Sequence, residues 1–312
     1  LPNDLYDARD GLLDQLSSYV PIETSYEKSG GRALAISEGT VTIKIKTNVP
    51  GKTVTVVQRD EVAKLSVDGN DPEKPFPNPM TGFTFTGGPI EKPEDGKLSV
   101  TDMVKSGELK SLVDSYGYQD GSQVKGLYPE MLAKLDKMAN EFAKAFNAVH
   151  EEGTDSKGVK GEPFFVLPTG ATEFTASNMV VNNEIRKDPN KLAASDSKTG
   201  AEVGNGQNAK KLGDVFFAKL PGLDGSSVQS YYAQTIGQLG VEGQQAIKMT
   251  DSSGVLLLAV SNRRNSISSV SLDEEMTDMI RFQQAYNASA RMITVMDEAL
   301  DKIINGMGTV GR

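Results

Sequence analysis

The stretch that most constrains this chain is its last forty residues. Leu272, Met276, Met279, Gln283, Tyr286, Ala290, Ile293, Asp297, Leu300 and Ile304 recur at alternating steps of four and three, the spacing that keeps one flank of an α-helix turned toward a partner helix. Met292, Met296 and Ile303 widen the stripe beyond a two-stranded seam. Ala285, Ala288, Ser289 and Ala290 are small enough to admit another backbone. Ser271 can cap the helix while Glu274 returns the bond, and Asp273, Glu274 and Glu275 set negative charge at the positive end of the helix dipole. Gly306 ends the pattern. A helix so near the end of the chain has few neighbours left to cover it. Periodicity alone favours packing on the chain's own core or on a missing N-terminal part, and leaves assembly with other subunits open. In the assembly reading the contact face is Leu272, Met276, Met279, Tyr286, Ala290, Ile293, Met296, Leu300, Ile303 and Ile304.

Upstream the period changes twice. In the opening helix, from Asn3 as N-cap, Leu5, Leu12, Leu16 and Tyr19 are expected to share one face. "GTVTIKIKT", "KTVTVVQ", "AKLSVDG" and "GFTFTGG" then alternate apolar and polar residues between Gly, Pro and Asn breaks, which predicts a β-rich block over 22–106 with the proline-dense Asp71–Met80 as a loop on it. Helical spacing returns at Glu108 and is strongest through Tyr128, Met131, Leu135, Met138, Phe142, Phe146 and Val149, with Gly153 as C-terminal cap. A small mixed insert is expected over 154–206. Beyond it Val228, Tyr232, Leu239, Ala246, Met249, Leu256 and Val260 form a further helical stripe, with kinks or breaks expected at Gly237, Gly240, Gly243 and Gly254. The implied fold class is α+β, an elongated helical stem (1–21, 107–153 and 207–270) with the two blocks inserted and 271–312 as a coiled-coil-like assembly helix.

Composition removes several functions. With 312 residues, two domains are expected, and 38% hydrophobic residues together with 31 glycines argue against wholesale disorder. The net charge of −9 repels phosphate backbones, so nucleic acid is not an expected partner. The longest apolar run, Val255–Val260, is far short of the ~20 residues that span a bilayer, so no membrane partner is expected either. Zero cysteines exclude disulfides, thiolate catalysis and cysteine metal sites. The opening "LPNDLYDARD" lacks Met and any basic-then-apolar leader, and is read as a cut inside a longer protein.

Catalytic and cofactor motifs fail one by one. "GTDSKGVK" has Val159 where a phosphate loop needs lysine, and "GNGQNA" has no βαβ context. His150, the single histidine, is expected half exposed on the last turn of its helix. The pairs Glu151/Glu152 and Glu274/Glu275 are adjacent on helices and point different ways, unlike carboxylates facing across a cleft. No enzyme activity, cofactor or metal is expected.

"SLDEEMTDMIRFQQAYNASARMITVMDEALDKIINGMG" resembles the C-terminal segment shared by bacterial flagellar axial proteins, above all the hook-associated protein 1 family. "PNDLYDARDGLLDQLS" and "LDKMANEFAKAFNAVHEEGTDSKGVKGEPFF" are similar to that family too. The resemblance implies a structural junction between hook and filament, exported unfolded through the flagellar secretion apparatus. Other copies of itself, hook protein, hook-associated protein 3 and an export chaperone are the partners it implies. The terminal helix would pair with an N-terminal helix that this chain lacks. A surface adhesin or binding module, with 22–106 as head on a helical stalk, is the alternative from another class.

Overall fold

The computed structural model describes residues 2–28, 39–69, 78–202, 204–268 and 270–306. The fold is α+β, and the chain divides into two compact units, Leu1–Thr235 and Ile236–Arg312.

The first unit opens with α1 (Pro2–Tyr19), whose proline at the first helical position gives up an N–H that would have no partner there. Of the expected face only Leu16 turns inward. Leu13 and Leu16 pack partly buried against the core and Val20 is buried behind them, whereas Leu5, Leu12 and Tyr19 are exposed. The helix carries apolar residues on two sides, and the core takes the side containing Leu13. Arg9 ties α1 to the first strand, its guanidinium 4.9 Å from the Tyr6 ring and 5.0 Å from the Tyr26 ring.

The β-rich block forms as its period predicts. An antiparallel sheet runs β1 (Ile22–Glu27), β2 (Thr40–Lys46), β3 (Thr53–Gln58) and β4 (Glu61–Val62) in chain order; a second holds β5 (Lys64–Asp68), β6 (Gly82–Thr86) and β7 (Lys97–Ser99). Alternation sends Ile43, Ile45, Val54 and Val56 from the first sheet and Phe83, Phe85 and Leu98 from the second into one core. Val20 and Val113 join that same core, so the helices flanking the block share its interior. Of the expected Asp71–Met80 loop, 71–77 lie outside the described residues; Met80 is buried and bridges to Tyr118.

Helix α2 (Glu108–Tyr116) starts where the period returns. The hairpin β8 (Tyr118–Asp120) and β9 (Gln123–Lys125) leads into α3 (Leu127–Glu152). Met131, Leu135, Met138, Phe142, Phe146 and Val149 are half-buried, and Tyr128 is exposed; full burial falls instead to Ala139, Ala143 and His150, the small residues letting other segments close in. Met138 and Phe142 pack on Leu220, Leu223 and Val228, while the Phe142 and Phe146 rings meet Phe164 and Phe165 at tilted to edge-on angles.

The described residues from 154 to 202 return along α3. They hold β10 (Phe165–Val166) paired with β11 (Val180–Val181), then the short α4 (Asn183–Lys187), and α5 (Gln207–Asp214) follows. Side chains of α3 receive this segment's backbone: Asp136 accepts from Ala176 N–H at 2.9 Å, Asn140 from Phe174 N–H at 3.2 Å, and Asn147 both accepts from and donates to Phe165 at 2.8 Å. Gly153 ends α3 in an extended conformation, not a left-handed one. A Cβ there would lie 2.1 Å from Asn208 Nδ2, so glycine is required by that close approach.

Val228 and Thr235, in the first turns of α6 (Val228–Ser268), are buried. The helix runs unbroken through Gly237, Gly240, Gly243 and Gly254, against the expectation of breaks. Each glycine weakens the helix by about 1 kcal/mol without clashing or losing a backbone bond, so a long cooperative helix absorbs the penalty. In the second unit, the rest of α6 and α7 (Leu272–Gly306) contain no buried side chain among the described residues, and only Asp278 reaches intermediate burial. No helix among the described residues is long and apolar enough to cross a membrane.

Candidate assembly interface

Helix α7 begins at Leu272, as the acidic run predicts. The Ser271 carbonyl accepts the Glu275 N–H at 3.0 Å, and Asp273, Glu274 and Glu275 fill the first turn. Every residue of the expected contact face is exposed: Leu272 (81%), Met276, Met279, Tyr286, Ala290, Ile293, Met296, Leu300 (51%), Ile303 and Ile304. They share one helix, at spacings that align them along it, and at its N-terminal half Leu272, Met276, Met279, Phe282 and Tyr286 share a shallow open surface with Glu275, Asp278 and Gln283. Burying a large apolar side chain fully is worth about 1.5–3 kcal/mol. Covering even four would therefore contribute about 6 kcal/mol or more before ordering costs, comparable with the ~5–15 kcal/mol net stability of a whole domain.

Two features shape what can cover this face. Ile280, Phe282, Met292 and Val295 are also exposed, so the apolar surface is broader than one partner helix occupies. Between Leu272 and Gly306, seven acids (Asp273, Glu274, Glu275, Asp278, Asp297, Glu298, Asp301) outnumber three bases (Arg281, Arg291, Lys302), which favours a covering surface that brings positive charge. Two further exposed apolar surfaces lie on helices whose apolar stripes the sequence pattern had marked. Leu5, Leu12 and Tyr19 repeat every seven residues on the outer side of α1; in α6, Ile247, Met249, Val255, Leu256, Leu257, Leu258 and Val260 are all exposed.

His150 and the two glycine-bearing loops are engaged structurally. His150 is fully buried rather than half exposed, because residues 161–164 and 193 fold over the end of α3. Its Nδ1 lies 2.6 Å from the Glu162 carbonyl, and its Nε2 accepts the Ala193 N–H at 3.0 Å. A carbonyl can only accept, so Nδ1 carries the proton and the ring is a neutral pin between two backbone groups. Burial pushes its pKa below the usual imidazole value, opposed by the Glu162 carbonyl and the Glu151 carboxylate. Neither nitrogen is free to act as a base. Gly153–Lys160 is a tight loop in which Thr154 bridges Lys160 and the Asp155 carboxylate accepts the N–H groups of Lys157 and Val159 at 2.8 Å. Gly204–Gly206 precede α5 as a turn.

Comparison with known proteins extends the resemblance well beyond the quoted motifs. The profile of the flagellar hook-associated protein FlgK helical domain matches residues 1–165, and that of the flagellar basal body rod FlgEFG protein C-terminal segment matches 263–306, which contains α7. The chain is similar to flagellar hook-associated protein 1 of Bacillus subtilis, 43% identical over all of this chain and 60% of the relative. The Escherichia coli protein of the same name is 23% identical over 97% of this chain and 64% of its own length, and that of Salmonella typhimurium 21% over 97% and 65%. The chain thus spans less than two thirds of the length of these relatives. With a family profile covering 165 of its 312 residues, the chain belongs to the flagellar hook-associated protein FlgK family.

Proposed function

We propose that this chain is a structural subunit of the bacterial flagellum at the junction between hook and filament, and that it assembles through α7. The observation that carries this reading is the exposed heptad face of Leu272–Ile304, which lies inside the segment matching the rod-protein C-terminal profile. A junction requires head-to-tail contacts with copies of itself and two unlike end surfaces. The partners proposed are other copies of the chain, hook protein on one side and hook-associated protein 3 on the other. Segments 1–21, 107–153 and 207–270 act as a stem carrying 22–106 and 154–206. Thioether side chains at Met276, Met279, Met292 and Met296 repack readily against different neighbours, which suits a subunit with unlike contacts. Delivery is by the flagellar secretion apparatus, with an export chaperone holding the unfolded chain. The absence of cysteine fits that route, since no disulfide has to wait for export.

The test is genetic. Deleting the gene leaves hooks without filaments and releases monomeric filament protein into the medium; intact filaments in the deletion strain would refute the assignment.

A further inference from the structure

We propose that His150 is an acid-sensitive latch, whose protonation frees the segment around Ala193 from the end of α3. The geometry leaves the charged ring no place. Protonation adds a donor at Nε2, which faces the Ala193 N–H, another donor, at 3.0 Å. The site is closed to water, so the new N–H finds no solvent acceptor, and one of the two donors must leave. Charged neighbours do not rescue it. Glu151 sits on the same helix and favours the charged ring without bonding it. On the chain that crosses over the ring, Glu162 and Lys160 are exposed, and the Asp155 carboxylate is committed to the N–H groups of Lys157 and Val159. Lys191, two residues before Ala193, pairs with Glu184 at 2.8 Å. From α5 comes Asn208, which is neutral and donates to the Ala193 and Val149 carbonyls at 2.7 and 3.1 Å.

Release would propagate. Ala193 is next to the pair of backbone bonds between Thr154 and Ser195, 2.8 and 3.1 Å, and Ala194 receives the N–H of Ala209 at 3.0 Å. The end of α3, the Ala193 segment and the start of α5 are therefore joined through one strip of backbone that His150 pins. The sign follows from burial of a neutral ring: its contribution to stability is complete above the unfolded imidazole pKa of about 6.5 and is lost as pH falls below it toward the lower folded value.

His150 is the only histidine in the chain, so its ring signals in NMR are assigned without mutation. The experiment follows ring shifts and backbone amide protection in the full chain from pH 8 to pH 4. The expected result is a neutral Nδ1–H ring at pH 7 that titrates below 6.5. The protection factor at Ala193 should fall by up to about ten-fold per pH unit in that window, as uptake of one proton requires, while Val54 and Leu98 hold theirs. In His150→Gln, whose amide can donate to Glu162 and accept from Ala193 without titrating, protection at Ala193 should be flat. A ring that titrates at or above 6.5, Ala193 protection that does not follow the titration, or the same pH dependence in His150→Gln would each overturn the proposal. Should His150→Gln fail to fold, the titration of the unmodified chain decides.

Discussion

Helices α3 and α7 have the same sequence pattern and opposite fates. Both show apolar residues every three or four positions over many turns, but α3 buries Ala139, Ala143 and His150 and half-buries its large apolar side chains, while α7 buries nothing. The difference lies in what each helix can reach. Described segments between 154 and 223 return across α3, and its Asp136, Asn140 and Asn147 side chains hold that chain by its backbone. Helix α7 has none of this within its own unit. Periodicity thus shows that a face is meant to be covered, and a second signal is needed to say by what. Here the match of residues 263–306 to the flagellar basal body rod FlgEFG protein C-terminal profile supports the proposed cover, other flagellar subunits.

This comparison can be broken by mutation. The largest effect on folding is expected in the first unit: Phe83→Ala, at a side chain 2% exposed, should destabilise the chain by about 3–5 kcal/mol in urea denaturation. The parallel truncation Ile293→Ala on α7 should change the free chain by no more than about 0.5 kcal/mol. Equal losses at the two sites would mean that α7 is already covered in the isolated molecule. A smaller effect sharpens the same contrast within the second unit. Gly240 sits in α6, where an added Cβ meets nothing within 4 Å, so Gly240→Ala should raise the helicity of the free chain and stabilise α6 by about 0.5–1 kcal/mol. A destabilising outcome would place a close neighbour at that face.

Much of this was legible in the residues themselves. Strict alternation at Ile43/Ile45 and Phe83/Phe85 is satisfied only by a strand with one side in a core, and the return of helical spacing at Glu108 coincides with the first residue of α2. On α1 the expected face was right at Leu16 and wrong at Leu5, Leu12 and Tyr19, because Leu16 can be joined as well with those three as with Leu13 and Val20, and spacing cannot rank two apolar sides of one helix. The burial of His150 was hidden for another reason. Its partners are backbone groups of Glu162 and Ala193, 12 and 43 residues further on, and a peptide carbonyl or N–H has no signature in the identity of its residue. Glycines in α6 misled in the opposite direction, since a propensity penalty is local and helix propagation is cooperative.

The exposed stripe of α7 can be read directly, because the chain has no cysteine of its own. Ile293→Cys introduces a single thiol at the middle of the stripe, and its rate of reaction with a maleimide can be measured in the free chain and in purified hook–filament junctions. The account predicts fast labelling of the free chain and strong protection in the junction. Equal rates in the two states, or a thiol already protected in the free chain, would contradict it.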